Sequence, residues 1–292
     1  MKYIGQIWRP PSEAKSLILQ VTVGCSHNEC TFCTMYKEKK FYLKPLNEIR
    51  ADIKEAVKLY PNIRRIFLAD GDALILPADN LLEILQLLYF SFPRLTRVTA
   101  YAGPKSILNK SNTELTRLRE AGLKMVYLGL ESGSAKILNK VKKGATPQMM
   151  CEAGEKLRKV GIKSSVTVIL GLGGQEMSEE HAQDTAEVIN VMQPNFLSAL
   201  TLMLRPGAPI YQEILDRKLS LLTPLATIQE LYNLVSGIEV NQPCIFRSNH
   251  ASNYIAVAGT LPKDKERMLS NLADILQHPD QYYLKDEYNR GL

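Results

Sequence analysis

Three of the five cysteines in this chain of 292 residues lie close together, in the pattern CxxxxCxxC formed by Cys25, Cys30 and Cys33. Thiolates are soft ligands that bind zinc or iron–sulfur clusters in preference to hard ions. Three thiolates on one loop can hold three irons of a cubane cluster and leave the fourth iron without a protein ligand. The pattern therefore indicates a metal cluster with one coordination position open to a small molecule.

Two other uses of these cysteines are less favoured. A structural zinc site normally has four ligands, often as two separated pairs, and no second CxxC follows Cys33. His27 could supply a fourth ligand, but its place inside the loop makes that geometry cramped. A disulfide interpretation leaves one of the three cysteines over, and no signal peptide precedes them, so a reducing compartment is expected.

The elements that must position this loop follow a repeating order. From Leu17 onward an apolar run, a polar loop and a stretch with helical spacing recur six times, which is typical of βα units and a parallel sheet. The predicted strands are 17–23, 65–69, 97–101, 125–129, 165–170 and 197–203. The predicted helices are 46–59, 79–89, 112–121, 147–160, 179–191 and 209–217.

The predicted fold class is α/β, an open partial (β/α)6 TIM-like barrel, because a closed eight-unit barrel shows more units in about 250 residues. Residues 1–220 form the predicted core domain. Residues 221–292 form a predicted C-terminal extension that packs on the barrel and contributes to the substrate pocket, with a helix at 227–235, a strand at 244–247 and a helix at 262–276. Ligands of parallel α/β folds gather where the strands end.

Composition excludes few classes of protein. The net charge is +6, but the lysines and arginines are scattered, so a solvated surface is favoured over a nucleic-acid-binding face. There is no run of about 18 apolar residues and no secretory signal, so neither a membrane span nor export is expected. The expected location is cytoplasmic.

Polar or small residues follow four of the predicted strands. Asp70, Gly71 and Asp72 come after the second strand, where two carboxylates can engage an ammonium group. GLESGS at 129–134 follows the fourth strand, and its carboxylate suits ribose hydroxyls or a cofactor amine. GLGG at 171–174 follows the fifth strand and permits a flat base to lie against backbone. Arg205 follows the sixth strand.

These motifs together carry a family resemblance. The cysteine triad, with an aromatic residue directly before its last cysteine, resembles the cluster loop of the radical S-adenosylmethionine (SAM) superfamily, and the strand-end motifs resemble its elongator and coproporphyrinogen-oxidase branch. The usual spacing there is CxxxCxxC, so this loop has one additional residue. The resemblance implies one 4Fe–4S cluster bound by the three cysteines, and SAM. The cofactor-binding positions that it implies are Phe32, Asp70, Gly71, Asp72, Glu131, Ser132, Val168, Leu170, Gly171, Leu172, Gly173 and Arg205.

The resemblance also implies a reaction. A reduced cluster would cleave SAM to a 5′-deoxyadenosyl radical, which abstracts hydrogen from a small polar or anionic substrate in a site that excludes water and oxygen. An electron donor such as flavodoxin or ferredoxin is the expected partner. A non-catalytic iron–sulfur or zinc-binding protein, and an RNA-modifying enzyme of the same superfamily, are the alternatives.

The substrate is sought in the C-terminal extension, where polar side chains are dense between Phe246 and Tyr254. We expect Arg247, Asn249, His250 and Asn253 to bind the substrate, with His250 or Tyr254 available for proton or hydrogen transfer. The alternative is a hydrogen-bonded turn that closes the barrel. The remaining cysteines, Cys151 and Cys244, are expected to be structural, so a single cluster is predicted.

Overall fold

A computed structural model describes residues 1–291. Its strands are β1 (Leu17–Gln20), β2 (Thr22–Val23), β3 (Tyr42–Leu43), β4 (Arg65–Ala69), β5 (Arg97–Tyr101), β6 (Leu123–Glu131), β7 (Lys163–Leu170), β8 (Phe196–Thr201), β9 (Cys244–Ser248) and β10 (Val257–Leu261). Its α-helices are α1 (Leu46–Leu59), α2 (Ala78–Ser91), α3 (Pro104–Leu108), α4 (Asn112–Glu120), α5 (Ala135–Lys140), α6 (Pro147–Val160), α7 (Ser178–Met192), α8 (Pro209–Leu215), α9 (Pro224–Gly237) and α10 (Lys265–Gln277).

Eight strands form one sheet in the order β1-β4-β5-β6-β7-β8-β9-β10. β1, β4, β5 and β6 pair in parallel, as do β7, β8 and β9, whereas β10 pairs antiparallel with β9. β2 and β3 form a separate two-stranded sheet beside the cysteine loop. The predicted fold class, an α/β protein with a partial TIM-like barrel of parallel strands, is confirmed.

Most elements begin and end close to the predicted residues. α1, α6, β4 and β5 have the predicted limits. Thr146 caps the N-terminus of α6, because its hydroxyl accepts a hydrogen bond from the N–H of Met149 at 3.2 Å. Gly122 and Gly161, which follow α4 and α6, have φ of 111° and 77°, the left-handed region expected at helix ends.

β10 was not predicted. Its residues alternate between buried and more exposed positions, as in an edge strand with one covered face, and they include a glycine that weakens the strand signal. The predicted helix at 262–276 begins later, at Lys265, because the chain first turns after β10.

The chain divides into two compact units. Unit 1 comprises residues 1–28, 33–128 and 156–164, and unit 2 comprises residues 29–32, 129–155 and the chain from Ser165 onward. The segments on both sides of residue 220 belong to unit 2. The division into 1–220 and 221–292 stays a prediction.

Each unit has an apolar core of its own. In unit 1, Ile66 and Leu68 of β4 and Leu85 of α2 are completely buried, and each such side chain stabilises the fold by about 1.5–3 kcal/mol. In unit 2 a cluster beside α5 and α8 is formed by Ile137, Val141, Leu172, Leu202, Ala208, Ile210 and Leu219. Within residues 1–291, no helix has both the length and the apolar character needed to cross a bilayer.

Candidate active site

The segment after β4 holds the start of the cysteine loop. Asp70 Oδ2 accepts a hydrogen bond from the N–H of Gly24 at 3.0 Å, and the N–H of Gly71 donates to the carbonyl of Gly24 at 3.1 Å. Asp72 Oδ2 accepts a hydrogen bond from the hydroxyl of Ser26 at 2.8 Å. Since Gly24 and Ser26 flank Cys25, these bonds fix the backbone on both sides of the first cysteine.

Gly71 has to be glycine at this point because of its neighbours. A Cβ on Gly71 would lie 2.9 Å from Cys25 Cβ and 2.8 Å from Cε2 of Tyr36. Both contacts are shorter than any ordinary Cβ contact, so a side chain here would displace the first cysteine or the Tyr36 ring. The predicted motif and the predicted metal ligand therefore lie in direct contact within unit 1.

Asp70 is a completely buried carboxylate that ties several segments together. Besides Gly24, its Oδ2 accepts hydrogen bonds from Lys39 Nζ and from Gln20 Nε2, each at 2.9 Å. Its Oδ1 is buried and has no hydrogen-bond partner among the described residues. Oδ2 thus stabilises the loop, whereas Oδ1 accepts no hydrogen bond from the described residues.

Asp72 is also buried, but both of its oxygens are used. Oδ1 accepts the N–H of Gly103 at 3.0 Å, and Oδ2 accepts the hydroxyls of Ser26 and Ser106. Burial raises the pKa of the Asp72 carboxyl, while the hydrogen bonds from Ser106, Gly103 and Ser26 act in the opposite direction. Asp72 therefore joins the cysteine loop to the segment after β5.

Asn28 has an unusual backbone conformation within the lengthened cysteine loop. Asn28 has a φ of 46°, in the left-handed region that asparagine tolerates better than most residues. Its side chain donates to the carbonyl of Tyr36 at 2.8 Å, and its own carbonyl accepts from Lys37 Nζ at 2.5 Å. The lengthened loop is thus an ordered turn.

Tyr36 is a buried phenol beside this loop, and sequence reasoning did not select it. Its hydroxyl has no hydrogen-bond partner among residues 1–291. Burial raises its pKa far above the usual range, and the nearby Tyr101, Asp70, Cys25 and Cys33 act in the same direction. The hydroxyl therefore stays protonated and can donate a hydrogen bond.

The segment that carries Cys30 belongs to unit 2. The N–H of Thr31 donates to the carbonyl of Val141, and the N–H of Ile210 donates to the carbonyl of Thr31, both at 3.0 Å. Phe32 packs against the apolar cluster of unit 2. Phe32 is therefore part of a core, and its predicted contact with the cofactor stays a prediction.

None of the five cysteines forms a disulfide, and the three loop cysteines are partly exposed. Across the described part of the chain, no group of three or more histidine, cysteine or acidic side chains is arranged around a single metal ion. In a cubane cluster each thiolate binds a different iron, so a cluster does not require such a convergent arrangement.

The GLESGS motif ends β6 with a carboxylate held over the strand. Glu131 has a φ of 65°, and its Oε1 accepts a hydrogen bond from Lys143 Nζ at 2.8 Å. The carboxylate lies where a Cβ of Gly129 would be, with Lys143 Nζ 3.0 Å from the same point. The predicted motif and the lysine of the following KKGAT segment thus form one ion pair.

Ser132 is buried, and its hydroxyl accepts a hydrogen bond from the N–H of Ser134 at 3.0 Å. The next residue, Gly133, donates its N–H to the hydroxyl of Thr185 on α7 at 2.8 Å. These bonds fix the turn between β6 and α5. The predicted contact of Ser132 with the cofactor stays a prediction.

Behind the strand ends of unit 2 lies a buried polar network that sequence reasoning missed. Glu230 of α9 accepts hydrogen bonds from the N–H of Gly171 at 2.7 Å and from Ser178 at 2.5 Å. His181 of α7 bridges Glu230 at 3.1 Å and the carbonyl of Glu131 at 3.3 Å. The network therefore ties the end of β6 to the end of β7. Histidine and glutamate on two predicted helices gave no signal of this contact.

Apolar side chains flank the GLGG turn. Val168 and Leu170 of β7 and Leu172 of the GLGG segment are buried. Gly171 is anchored by Glu230. Arg205 is exposed after β8. The predicted cofactor contacts of this segment, including Gly173, and of Arg205 stay predictions.

The polar turn after β9 is largely used for internal bonding. Asn253 Oδ1 accepts from the N–H and the hydroxyl of Thr201, at 2.8 and 3.0 Å, and its Nδ2 donates to Ala199 and Ser248. The mostly apolar cavity beside Asn253 and Tyr254 has a volume of about 10 Å³, room for about one water molecule. This geometry favours the alternative, a turn that closes the fold, for Asn253.

His250 and Tyr254 are also engaged locally. His250 Nδ1 accepts the N–H of Ser252 at 3.1 Å, and burial lowers its pKa, with Lys285 adding to the effect. The Tyr254 hydroxyl bonds to Glu287 at 2.8 Å and to Arg290 at 2.6 Å, and burial raises the pKa of Tyr254 to about 12. Their predicted catalytic roles stay predictions.

Arg290 was not anticipated, because the terminal segment gave no periodic signal. Its guanidinium donates to the carbonyls of Leu202 at 2.7 Å and Ser252 at 2.6 Å. The remaining predicted substrate residues, Arg247 and Asn249, are exposed. Arg247 projects from the opposite face of β9 to Ser248, and so it is separated from Asn253.

Comparison with known proteins identifies the fold. The family model of the radical SAM superfamily matches residues 19–189, more than half of the chain. The fold is similar to coproporphyrinogen III oxidase (HemN) from Escherichia coli, with a TM-score of 0.57 and 17% identity over 76% of this chain and 52% of that one. It is also similar to the radical SAM methyltransferase TsrM from Kitasatospora setae, solved with cobalamin and a [4Fe–4S] cluster, with a TM-score of 0.56 and 18% identity over 69% of this chain and 39% of that one.

A third similar structure is the archaeal Elp3 of Methanocaldococcus infernus, with a TM-score of 0.54 and 15% identity over 92% of this chain and 64% of that one. This chain therefore spans about half or less of the length of HemN and TsrM. No curated protein matches the sequence. From the family match and the strand-end motifs, the chain belongs to the radical SAM superfamily, whose enzymes use a 4Fe–4S cluster and SAM.

Proposed function

We propose that this enzyme binds one 4Fe–4S cluster through Cys25, Cys30 and Cys33, cleaves SAM reductively, and abstracts a hydrogen atom from a small polar or anionic substrate. The observation that carries the proposal is the clamp in unit 1, in which Asp70, Gly71 and Asp72 hold the residues around Cys25. In a non-catalytic metal-binding protein, the residues that hold the first cysteine would not have to be the residues of the expected SAM-binding segment.

The residues present fit both groups. The cysteines form no disulfide, and thiolates suit iron. Asp70 Oδ1 is a buried acceptor without a partner among the described residues, next to Gly71, whose missing Cβ lets Cys25 approach closely. Since an unsatisfied buried acceptor costs about 1–3 kcal/mol, this atom suits the ammonium group of SAM. The sequence motif and the geometry therefore both support binding of the amino group of SAM at Asp70.

When bound, the cluster and SAM supply a 5′-deoxyadenosyl radical that removes hydrogen from the substrate. The chain's own residues bind and orient these groups. In unit 2, Glu131 presents a carboxylate fixed by Lys143, which suits the ribose hydroxyls or the amine of SAM. Gly171 and its neighbours offer backbone groups to the adenine, and Glu230 holds that backbone in place. Arg205 is exposed and suits an anionic group.

The reductant would be a flavodoxin or ferredoxin, and the expected location is the cytoplasm. A nucleic-acid substrate is disfavoured because the basic residues are scattered along the chain. The proposed substrate is then a small molecule.

The test is Cys30→Ala, with Cys151→Ala on α6 as the matched control, because both changes remove one partly exposed thiol. Each protein is reconstituted anaerobically, and iron, sulfide and 5′-deoxyadenosine are measured. Cys30→Ala should lose the cluster and SAM cleavage, while Cys151→Ala should retain both. Stoichiometric zinc without sulfide, or unchanged 5′-deoxyadenosine from Cys30→Ala, would refute the proposal.

A further inference from the structure

Three polar side chains lie in one row across the parallel strands of unit 2. The register pairs Thr167 of β7 with Ser198 of β8, and Ser198 with Arg247 of β9. Paired residues of neighbouring strands project from the same face of a sheet. Strands lie about 4.8 Å apart, so the row from Thr167 to Arg247 spans roughly 10 Å.

This face of the sheet differs from the opposite face. Thr167 and Ser198 are partly exposed and Arg247 is exposed, whereas their neighbours along each strand, such as Val168, Ala199 and Phe246, are buried. On the buried side, Leu170, Thr201 and Ser248 line a small cavity together with residues of α9. Helix α9 therefore covers the buried face of the sheet. The row lies on the opposite face, which is partly exposed to solvent.

The row has unused hydrogen-bonding capacity. Among the described residues, the hydroxyls of Thr167 and Ser198 have no hydrogen-bond partner. Arg247 donates through Nη1 to the carbonyls of Phe246 and Gly259, at 2.7 and 3.1 Å, and forms no ion pair. Its Nε and Nη2 remain available, so a positive charge without an acidic partner lies on the same sheet face as two unused hydroxyl donors.

Apolar side chains frame the row. On the same face, Ile169 and Leu200 follow it toward the strand ends, and Phe196 and Ile245 precede it. All four are only partly buried. In this part of unit 2, Arg247 is the single charged residue on this face of β7, β8 and β9 from Ser165 onward.

We infer that Thr167, Ser198 and Arg247 form an anion-binding row that holds the carboxylate or phosphate of a small substrate with an apolar body. The inference rests on the proposed function for the identity of its ligand as substrate. Arginine presents a planar fork that matches such anions, and hydroxyl groups complete their hydrogen bonding. It relocates substrate recognition from the polar turn at 249–253, whose Asn253 amide is fully used, to the accessible sheet face.

The probe is hexanoate, which combines a carboxylate with an apolar chain, and hexanamide is its neutral counterpart. Ligand-induced stabilisation of the 292-residue protein is measured by thermal unfolding at millimolar concentrations, the range expected for a single charge-assisted contact. Hexanoate should stabilise the wild-type protein and hexanamide should not. Arg247→Gln should weaken hexanoate binding by about tenfold or more. Ser198→Ala and Thr167→Val should weaken it severalfold, and the exposed-arginine control Arg94→Gln should leave it unchanged.

Equal stabilisation by both probes, no stabilisation by hexanoate, or full binding to Arg247→Gln would overturn the inference. The same titration is repeated with saturating SAM, because Arg247 could instead bind the carboxylate of SAM. Persistence of the hexanoate effect supports a substrate site, whereas its loss would assign Arg247 to SAM and overturn the inference. Wild-type SAM cleavage, measured separately, tests the proposed function, because anion binding at this row does not depend on it.

Discussion

Asp72 accepts a hydrogen bond from the hydroxyl of Ser26, the residue directly after Cys25, although the two residues are 46 positions apart in sequence. The carboxylate is buried and also accepts the N–H of Gly103. One side chain thus couples the cysteine loop to the ends of β4 and β5. The segment expected to bind SAM therefore also determines where the first cysteine lies.

Asp72→Ala should destabilise the cluster-free protein by about 2–3 kcal/mol, because Gly103 N–H and two hydroxyls lose a buried acceptor. Asp72→Asn should be tolerated better, since an amide oxygen can still accept from Gly103 and the hydroxyls can reorient. Denaturant unfolding and iron content check both variants. Equal stability of Asp72→Ala and wild type would show that the bond to Ser26 does not hold the loop.

Gly129→Ala should impair SAM binding without straining the backbone, because Gly129 does not have a positive φ. The new Cβ would occupy the position of the Glu131 carboxylate and lie 3.0 Å from Lys143 Nζ. We expect a higher KM for SAM with a smaller change in kcat, and Glu131→Gln should show the same pattern. An unchanged KM in both variants would remove Glu131 from the cofactor site.

The order of elements was predictable because it depends on local periodicity. β4, β5, α1 and α6 have the predicted limits, since apolar runs and capping residues are local signals. β10 escaped prediction because a short edge strand with a glycine resembles a loop in sequence. Local signals thus fix the barrel units but not its edge.

The roles of polar residues were harder to predict, because they depend on contacts between distant segments. The position of Asp70 followed from the motif, but a sequence does not reveal that one carboxylate oxygen bonds Gly24 and Lys39 while the other is unused. His181 and Glu230 are 49 positions apart, and neither belongs to a motif. Their contact depends on the packing of α7 against α9, which the sequence pattern does not predict.

Glu230→Ala should destabilise the protein by about 3 kcal/mol or more, because His181, Ser178 and the N–H of Gly171 all lose their hydrogen-bond acceptor. Denaturant unfolding measures the loss. Glu83→Gln, which breaks an exposed ion pair with Arg50, is the control and should change stability little. Comparable effects of the two substitutions would contradict a structural network behind the GLGG segment.

Tyr36→Phe should have different effects on the cluster-free protein and on the protein reconstituted with its cluster. Without the cluster, removing an unpartnered buried hydroxyl should leave stability unchanged or raise it by about 1 kcal/mol. With the cluster, loss of a hydrogen-bond donor near Cys25 and Cys33 should make the reduction potential more negative, because hydrogen bonds to sulfur favour the reduced cluster. Thermal unfolding and an EPR-monitored redox titration measure the two effects.

The matched control is Tyr89→Phe, which removes a hydroxyl that donates to the carbonyl of Gly122 at 2.9 Å. This variant should lose stability in the cluster-free protein, since a satisfied hydrogen bond is broken and a carbonyl loses its donor. Its reduction potential should match that of the wild type. The opposite result for Tyr36→Phe would be a less stable cluster-free protein with an unchanged reduction potential. That result would show that the Tyr36 hydroxyl stabilises the fold and does not donate to the cluster. A donor to the cluster would change the reduction potential and leave the stability of the cluster-free protein unaffected.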